Sequence, residues 1–196
     1  MESYMNRISN TGIVPVVKIL EKEDAYPLAK ALLNGGIDVI EVTYRSEHAT
    51  SAIQTISEQL PDMLVGAGTV LSVEQAKEAV EAGAKFIITP GFNTKVVQWC
   101  LDHDVEVYPG VSTASEVEMA LSMGLTQLKF FPAESSGGAK KLKDLSAPYA
   151  NVHFMPTGGI NTKNMHDYLS LPNVEAIGGS FMLPNDLVCL LYTSPS

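Results

Sequence analysis

Basic residues are scarce in this 196-residue chain: 13 lysines and arginines against 22 aspartates and glutamates leave a net charge of -9. A surface of that sign repels phosphodiester backbones and anionic lipid, so neither a nucleic-acid nor a membrane partner is expected. Any anionic small molecule must be caught by a local arrangement. Long apolar runs are missing too. No stretch approaches the roughly 18 apolar residues of a membrane span, and the opening MESYMNRISN has no apolar secretion-signal segment. Cysteine is nearly absent, and Cys100 and Cys189 fit neither a metal-ligand spacing nor a disulfide framework. A soluble cytoplasmic protein is the expectation. His48, His103, His153 and His166 lack His-x-x-x-His or carboxylate spacing, so no metal site is expected and they are read as surface or loop residues. No G-x-G-x-x-G follows the first apolar run, which removes the dinucleotide fingerprint, and no cofactor is expected.

What the chain does have is a repeating pattern. With 45% hydrophobic residues and no linker-like break, 1–196 reads as one domain with a full core. Apolar, β-branched runs recur: IVPVVKI, DVIEVTY, LVGAGTV, FIITP, VEVYPGV, QLKFFPA, VHFMPTGGI and EAIGGSF. There are about eight, spaced by roughly 20 to 25 residues, room for a strand, a helix and two short loops. EDAYPLAKALLNGG puts Ala25, Leu28, Ala29, Leu32 and Leu33 on one helical face and ends in glycines suited to a cap. SVEQAKEAVEAGA opens on Ser72 as N-cap with Gln75 three residues on, and closes at Gly83. Continuously apolar strands belong to parallel sheets covered on both faces. Eight strand-helix units predict an α/β fold of the (β/α)8 TIM-barrel type, with an open doubly wound sheet as the competitor.

Barrel enzymes hold their chemistry at the C-terminal strand ends. Two charged residues interrupt apolar runs there. Glu41 lies between Ile40 and Val42, and alternation sends Glu41, Thr43 and Arg45 toward the same side. Lys129 stands in the sixth run, among neighbours that disfavour its charged form and favour a neutral amine able to attack a carbonyl. In a closed barrel both reach one central cavity. Two readings stay open: a buried ion pair, or a Schiff-base lysine beside a proton-shuttling carboxylate. PTGGI (156 to 160) and IGGS (177 to 180) end the last two runs, where many barrels bind phosphate through backbone N–H groups, although paired glycines also simply make tight turns. Thr69 in GAGTV offers a hydroxyl at a strand end, and KKLKD (140 to 144) reads as a solvated helix face.

The ordered set VIEVTYRSEHA, VGAGTVL, ITPGF, YPGVSTASE, LKFFPAE, PTGGI and IGGSFMLP resembles the 2-keto-3-deoxy-6-phosphogluconate aldolases that often also act on 4-hydroxy-2-oxoglutarate. The resemblance runs from about Ile13 to about Pro184. It implies a (β/α)8 barrel, commonly a homotrimer, working as a metal-free class I aldolase on a phosphorylated keto acid. In that family the Schiff-base lysine matches Lys129 and the catalytic glutamate Glu41. Arg45 and Thr69 match the residues associated with the pyruvyl carboxylate. Thr157, Gly158, Gly159, Gly179 and Ser180 match the phosphate site, with Pro90 of ITPGF and Phe131 of LKFFPAE on the substrate side.

The alternatives are a 2-keto-3-deoxy-6-phosphogalactonate aldolase, a metal-assisted pyruvate aldolase and a non-catalytic phosphate-ligand binding barrel. The galactonate branch usually lacks the arginine that follows the glutamate motif, so EVTYR leans toward the gluconate type. The chain departs from the family after MLP, where NDLVCLLYTSPS stands in place of a long eighth helix. Residues 185–196 are therefore expected to be an atypical, non-native end, with the eighth helix truncated or replaced.

Overall fold

The computed structural model describes residues 3–183. Among the described residues nine strands follow one another, with helices between them except between β5 and β6: β1 Ile13–Val17, β2 Val39–Thr43, β3 Leu64–Gly68, β4 Phe86–Ile88, β5 Glu106–Tyr108, β6 Gly110–Val111, β7 Gln127–Phe130, β8 His153–Pro156 and β9 Ile177–Gly179. All their pairings are parallel. One sheet runs β5-β4-β3-β2-β1-β9 and the other β6-β7-β8. A bridge from Thr157 to Gly178 links the end of β8 to β9, and the chain passes from β5 to β6 through Pro109, so the strands form a curled parallel sheet. The expected fifth strand is thus two. Pro109 has no N–H for the ladder, and its carbonyl accepts from Lys129 N at 3.0 Å, so at this residue the chain changes partner from β4 to β7.

The helices expected over EDAYPLAKALLNGG and SVEQAKEAVEAGA are both present, among others on the outside. α1 (Tyr4–Thr11) precedes the sheet, α2 (Ala25–Asn34) buries Ala25, Leu28, Ala29 and Leu32, and Leu33 is half-buried. α3 (Ala49–Gln59) follows β2. In α4 (Val73–Glu81) the Ser72 hydroxyl accepts from Gln75 N at 3.2 Å, the expected cap. α5 (Thr94–Asp102) and α6 (Ala114–Ser122) follow, then α7 (Gly138–Ser146), which carries the KKLKD run with Leu142 and Leu145 turned inward. α8 (Met165–Leu169) is short. The expected departure at 185–196, the missing eighth helix and Cys189 lie outside the described residues.

Strand alternation divides the buried residues in two. Ile40, Val42, Val65, Ala67 and Ile87 face outward onto the helices, whereas Val14, Val39, Leu64, Phe86, Ile88, Tyr108, Met155 and Ala176 fill the interior with Met5 and Ile8 of α1. Both faces are buried, which is why the runs are continuously apolar. Helix α1 packs against the N-terminal strand ends and leaves the C-terminal ends for chemistry.

His153 departs from expectation. It opens β8 half-buried, and its Nδ1 lies 2.7 Å from Glu175 Oε1, a contact between residues that only the fold brings together.

Candidate active site

Register places the two charged strand residues side by side. Glu41 pairs with Val16 on one flank and Gly66 on the other, while Lys129 pairs with Gly110 and Met155. Both side chains turn into the interior above its apolar layers. Lys129 Nζ donates to Glu41 Oε1 at 3.2 Å, with Glu41 fully buried and Lys129 4% exposed. Taking two such groups from water costs several kcal/mol each unless they compensate one another. The pairing answers the charge of both, yet Glu41 Oε2 has no hydrogen-bond partner among the described residues. The Lys129 ammonium also stands 5.4 Å from the centroid of the Phe131 ring.

Room for the carboxylate comes from Gly68 at the end of β3. A Cβ there would fall 2.0 Å from Glu41 Oε1 and 2.5 Å from its Cγ, so only glycine leaves the carboxylate where it is. Sequence reasoning missed this residue, whose one signal was its place at a strand end in GAGTV.

A cavity of about 280 Å³ opens over Lys129 at the C-terminal strand ends. Arg45, Thr69, Pro90 and Phe131 line it together with the lysine. Thr157, Gly158, Gly159, Gly179 and Ser180 also line it. Every expected site residue except Glu41 lines this space, and Glu41 meets it through Lys129. Val16 and Ile160 line it as well and were not expected; both are apolar residues of strand-end motifs and carry no chemical signal in sequence.

Local contacts set the polar groups. Thr43, fully buried, donates its hydroxyl to Val17 O at 2.8 Å and accepts from Arg45 Nε at 3.2 Å, which steers the guanidinium over the cavity. Thr69 adopts φ 54°, a left-handed conformation that costs a β-branched residue on the order of 1–2 kcal/mol. Thr157 Oγ1 is buried with no partner among the described residues. The site therefore joins an amine, a carboxylate, a guanidinium and hydroxyls to a glycine-rich stretch of lining. Such a set can form an imine with a keto acid, move protons at it, and hold a remote anion through backbone N–H groups. Among the described residues no group of three or more His, Cys, Asp or Glu side chains is arranged to hold a metal ion, and no helix is long and apolar enough to cross a membrane.

The KDPG and KHG aldolase family matches residues 4–190. The 2-dehydro-3-deoxy-phosphogluconate aldolase of Treponema pallidum is 47% identical over 184 residues, 94% of this chain and 88% of that protein. The KHG/KDPG aldolase of Escherichia coli K12 is 45% identical over 180 residues, 91% of this chain and 84% of that one. The crystal structure of the Legionella pneumophila KDPG aldolase, with pyruvate captured as a covalent carbinolamine, matches with a TM-score of 0.93 and 41% identity, covering 96% of this chain and 92% of that one. The chain belongs to the KDPG and KHG aldolase family.

Proposed function

We propose that this protein is a class I aldolase that cleaves 2-keto-3-deoxy-6-phosphogluconate to pyruvate and glyceraldehyde 3-phosphate, and 4-hydroxy-2-oxoglutarate to pyruvate and glyoxylate. The observation that carries the reading is the buried Lys129–Glu41 contact, 3.2 Å long, at the floor of a cavity lined by Arg45 and two glycine-rich loops. The curated relatives named above support the gluconate and oxoglutarate substrates, and the Legionella enzyme supports a covalent path through pyruvate. The galactonate alternative has less support, since Arg45 stands where that branch usually lacks an arginine. The curled sheet, read with the family likeness, supports a closed (β/α)8 barrel. A homotrimer follows from the family resemblance and a cytoplasmic location from the sparse cysteines.

The chemistry follows from the contacts. Glu41 takes a proton from the Lys129 ammonium, and the neutral amine attacks the C2 ketone to give a carbinolamine. Glu41 returns a proton to the departing hydroxyl, water leaves, and a protonated imine remains as the electron sink. Glu41, again a carboxylate, takes the C4 hydroxyl proton directly or through water, the C3–C4 bond breaks to form the C4 aldehyde, and the electron pair moves to an enamine on Lys129. The enamine takes that proton from Glu41 at C3, and water hydrolyses the pyruvyl imine to free the amine. Arg45 and Thr69 hold the C1 carboxylate, the guanidinium suited to two parallel hydrogen bonds. The phosphate of the longer substrate lies against the Gly158–Gly159 and Gly179–Ser180 wall.

Borohydride reduction in the presence of pyruvate tests this directly. A pyruvate-dependent mass increase is expected on the peptide carrying Lys129, and Lys129→Ala is expected to lose both the adduct and aldol cleavage while remaining folded. An adduct on another residue, or substantial cleavage by the variant, would leave Lys129 a structural cation.

A further inference from the structure

The loop after β8 has a hydrogen-bond pattern that the catalytic chemistry leaves unused. Three successive carbonyls are each held from outside the cavity. Thr157 O accepts from Ala133 N at 2.8 Å, and Gly158 O accepts from Glu134 N at 3.1 Å. Gly159 O accepts from two side-chain amides, Asn161 Nδ2 at 3.2 Å and Asn164 Nδ2 at 3.1 Å. In a trans peptide the carbonyl and the following N–H point in opposite directions, and the peptides of this loop are trans, Phe131–Pro132 alone being cis in the described chain. Fixing the three carbonyls therefore aims the N–H groups of Gly158, Gly159 and Ile160 the other way. All three residues line the cavity; the Gly158 N–H is turned to β9 at the Thr157–Gly178 bridge, and no hydrogen bond among the described residues uses the Gly159 and Ile160 N–H groups.

The two asparagines are not free to turn. Asn161 Oδ1 accepts from Lys163 N at 2.9 Å and Asn164 Oδ1 accepts from Asn161 N at 2.8 Å. Each amide oxygen is thereby engaged by a backbone donor, which leaves each NH2 to face Gly159 O. Gly158 at φ 103° and Gly159 at φ 80° lie in the left-handed region, where glycine has no preferred single conformation and an outside constraint decides which way its peptides face. Two successive N–H groups, those of Gly159 and Ile160, turned to one concave side make an anion-binding nest.

We propose that Asn161 and Asn164 are positioning residues that set this enzyme's discrimination between phosphorylated and unphosphorylated keto acids, by clamping Gly159 O so that the Ile160 N–H joins the Gly159 N–H, set by Glu134 N on Gly158 O, at the phosphate monoester of the substrate. The proposal rests on the aldolase reading above. Neither asparagine touches the keto-acid end, so the clamp acts on binding of the remote anion and not on the bonds made and broken at Lys129.

The test is steady-state kinetics of Asn161→Ala/Asn164→Ala with both substrates, together with borohydride trapping of pyruvate. The charge of the site is unchanged by these substitutions. The expected result is a KM for 2-keto-3-deoxy-6-phosphogluconate raised about tenfold, as loss of one well-oriented charge-assisted hydrogen bond implies, with kcat within about twofold. The kcat/KM for 4-hydroxy-2-oxoglutarate stays within about twofold, because that substrate has no phosphate to lose. Asn164→Ala alone, which leaves Asn161 on the carbonyl, gives a milder test with a rise of about threefold. An unchanged KM for the phosphorylated substrate overturns the proposal, and so does an equal loss on both substrates, which marks general loosening of the site. Pyruvate trapping separates the two levels: no adduct in the unsubstituted protein refutes the aldolase reading itself, whereas a normal adduct with unchanged discrimination refutes only the clamp.

Discussion

Glu41 is held by space as much as by charge. Its Oε1 meets Lys129 at 3.2 Å, and the nearest constraint on the other side is the missing side chain of Gly68. Gly68→Ala puts a methyl group 2.0 Å from Oε1 and 2.6 Å from Cδ, so the carboxylate must swing away from the amine. Misplacing a general acid–base group removes on the order of 10²-fold or more from turnover. We expect kcat to fall by about that factor, with the overall fold intact by circular dichroism; a kcat within about twofold of the parent would mean that the carboxylate tolerates displacement. At this scale much of the site was readable. Lys129 and Glu41 each interrupt an apolar run, and a charge in such a run demands either a partner or a task. Gly68 was not readable in the same way, because a glycine required by the reach of a side chain two strand residues and one strand away looks like any other strand-end glycine. Asn161 and Asn164 were silent for a related reason: an asparagine in a loop is ordinary until its acceptor is known.

Among the elements, α6 shows how one short motif fixes a helix start next to the site. Thr113 and Glu116 form a capping box: Glu116 N donates to the Thr113 hydroxyl, and Glu116 Oε2 accepts from the backbone N–H groups of Ser112 and Thr113, each at 2.8 Å. Partial burial pushes the Glu116 carboxyl up, but the hydrogen bonds from Ser112 and Thr113 outweigh it and hold the group below its ordinary value. A lowered folded value means that this stabilisation is present above the unfolded value and disappears as pH falls through the folded one. Glu116→Ala is expected to cost about 1 kcal/mol at neutral pH, a melting-temperature drop of about 2–4 °C, and to cost nothing in strong acid. Equal differences in Tm at both pH values would refute the assignment. The TASE signature is legible in sequence, as are the α2 stripe and the Ser72 cap, since each rests on contacts within one turn. The division of the fifth run at Pro109 is not local: it depends on which neighbour each half finds, β4 or β7.

Over the whole molecule, the two ends of the sheet interior are treated in opposite ways. The C-terminal end holds the amine, the carboxylate and the cavity, while the N-terminal end is plugged by α1, whose Met5 and Ile8 join the interior core. Acidic residues at the strand starts tie this plug down: Glu106 accepts from Tyr4 N at 3.0 Å, Glu175 from Ser9 Oγ at 2.8 Å, and Asp38 from Thr11 Oγ1 and Arg7 Nε at 2.7 Å each. Burial opposes ionisation of Asp38, yet the hydrogen bonds from Thr11 and Arg7 and the charge of Arg7 prevail and hold its carboxyl below the usual carboxylate range. By the same sign argument, its contribution is complete above the unfolded value and is lost as pH falls through the lowered folded value. As pH begins to fall, protonation relieves the mutual repulsion of nine excess negative charges, so the first loss of stability is assigned to specific pairs such as this one. We therefore expect Asp38→Asn to lower the melting temperature at pH 7 and to flatten the fall in melting temperature between about pH 5 and pH 2, so that the two proteins converge in acid. Parallel curves over that range would show that Asp38 ties nothing that folding depends on and that the other contacts of α1 suffice to hold it.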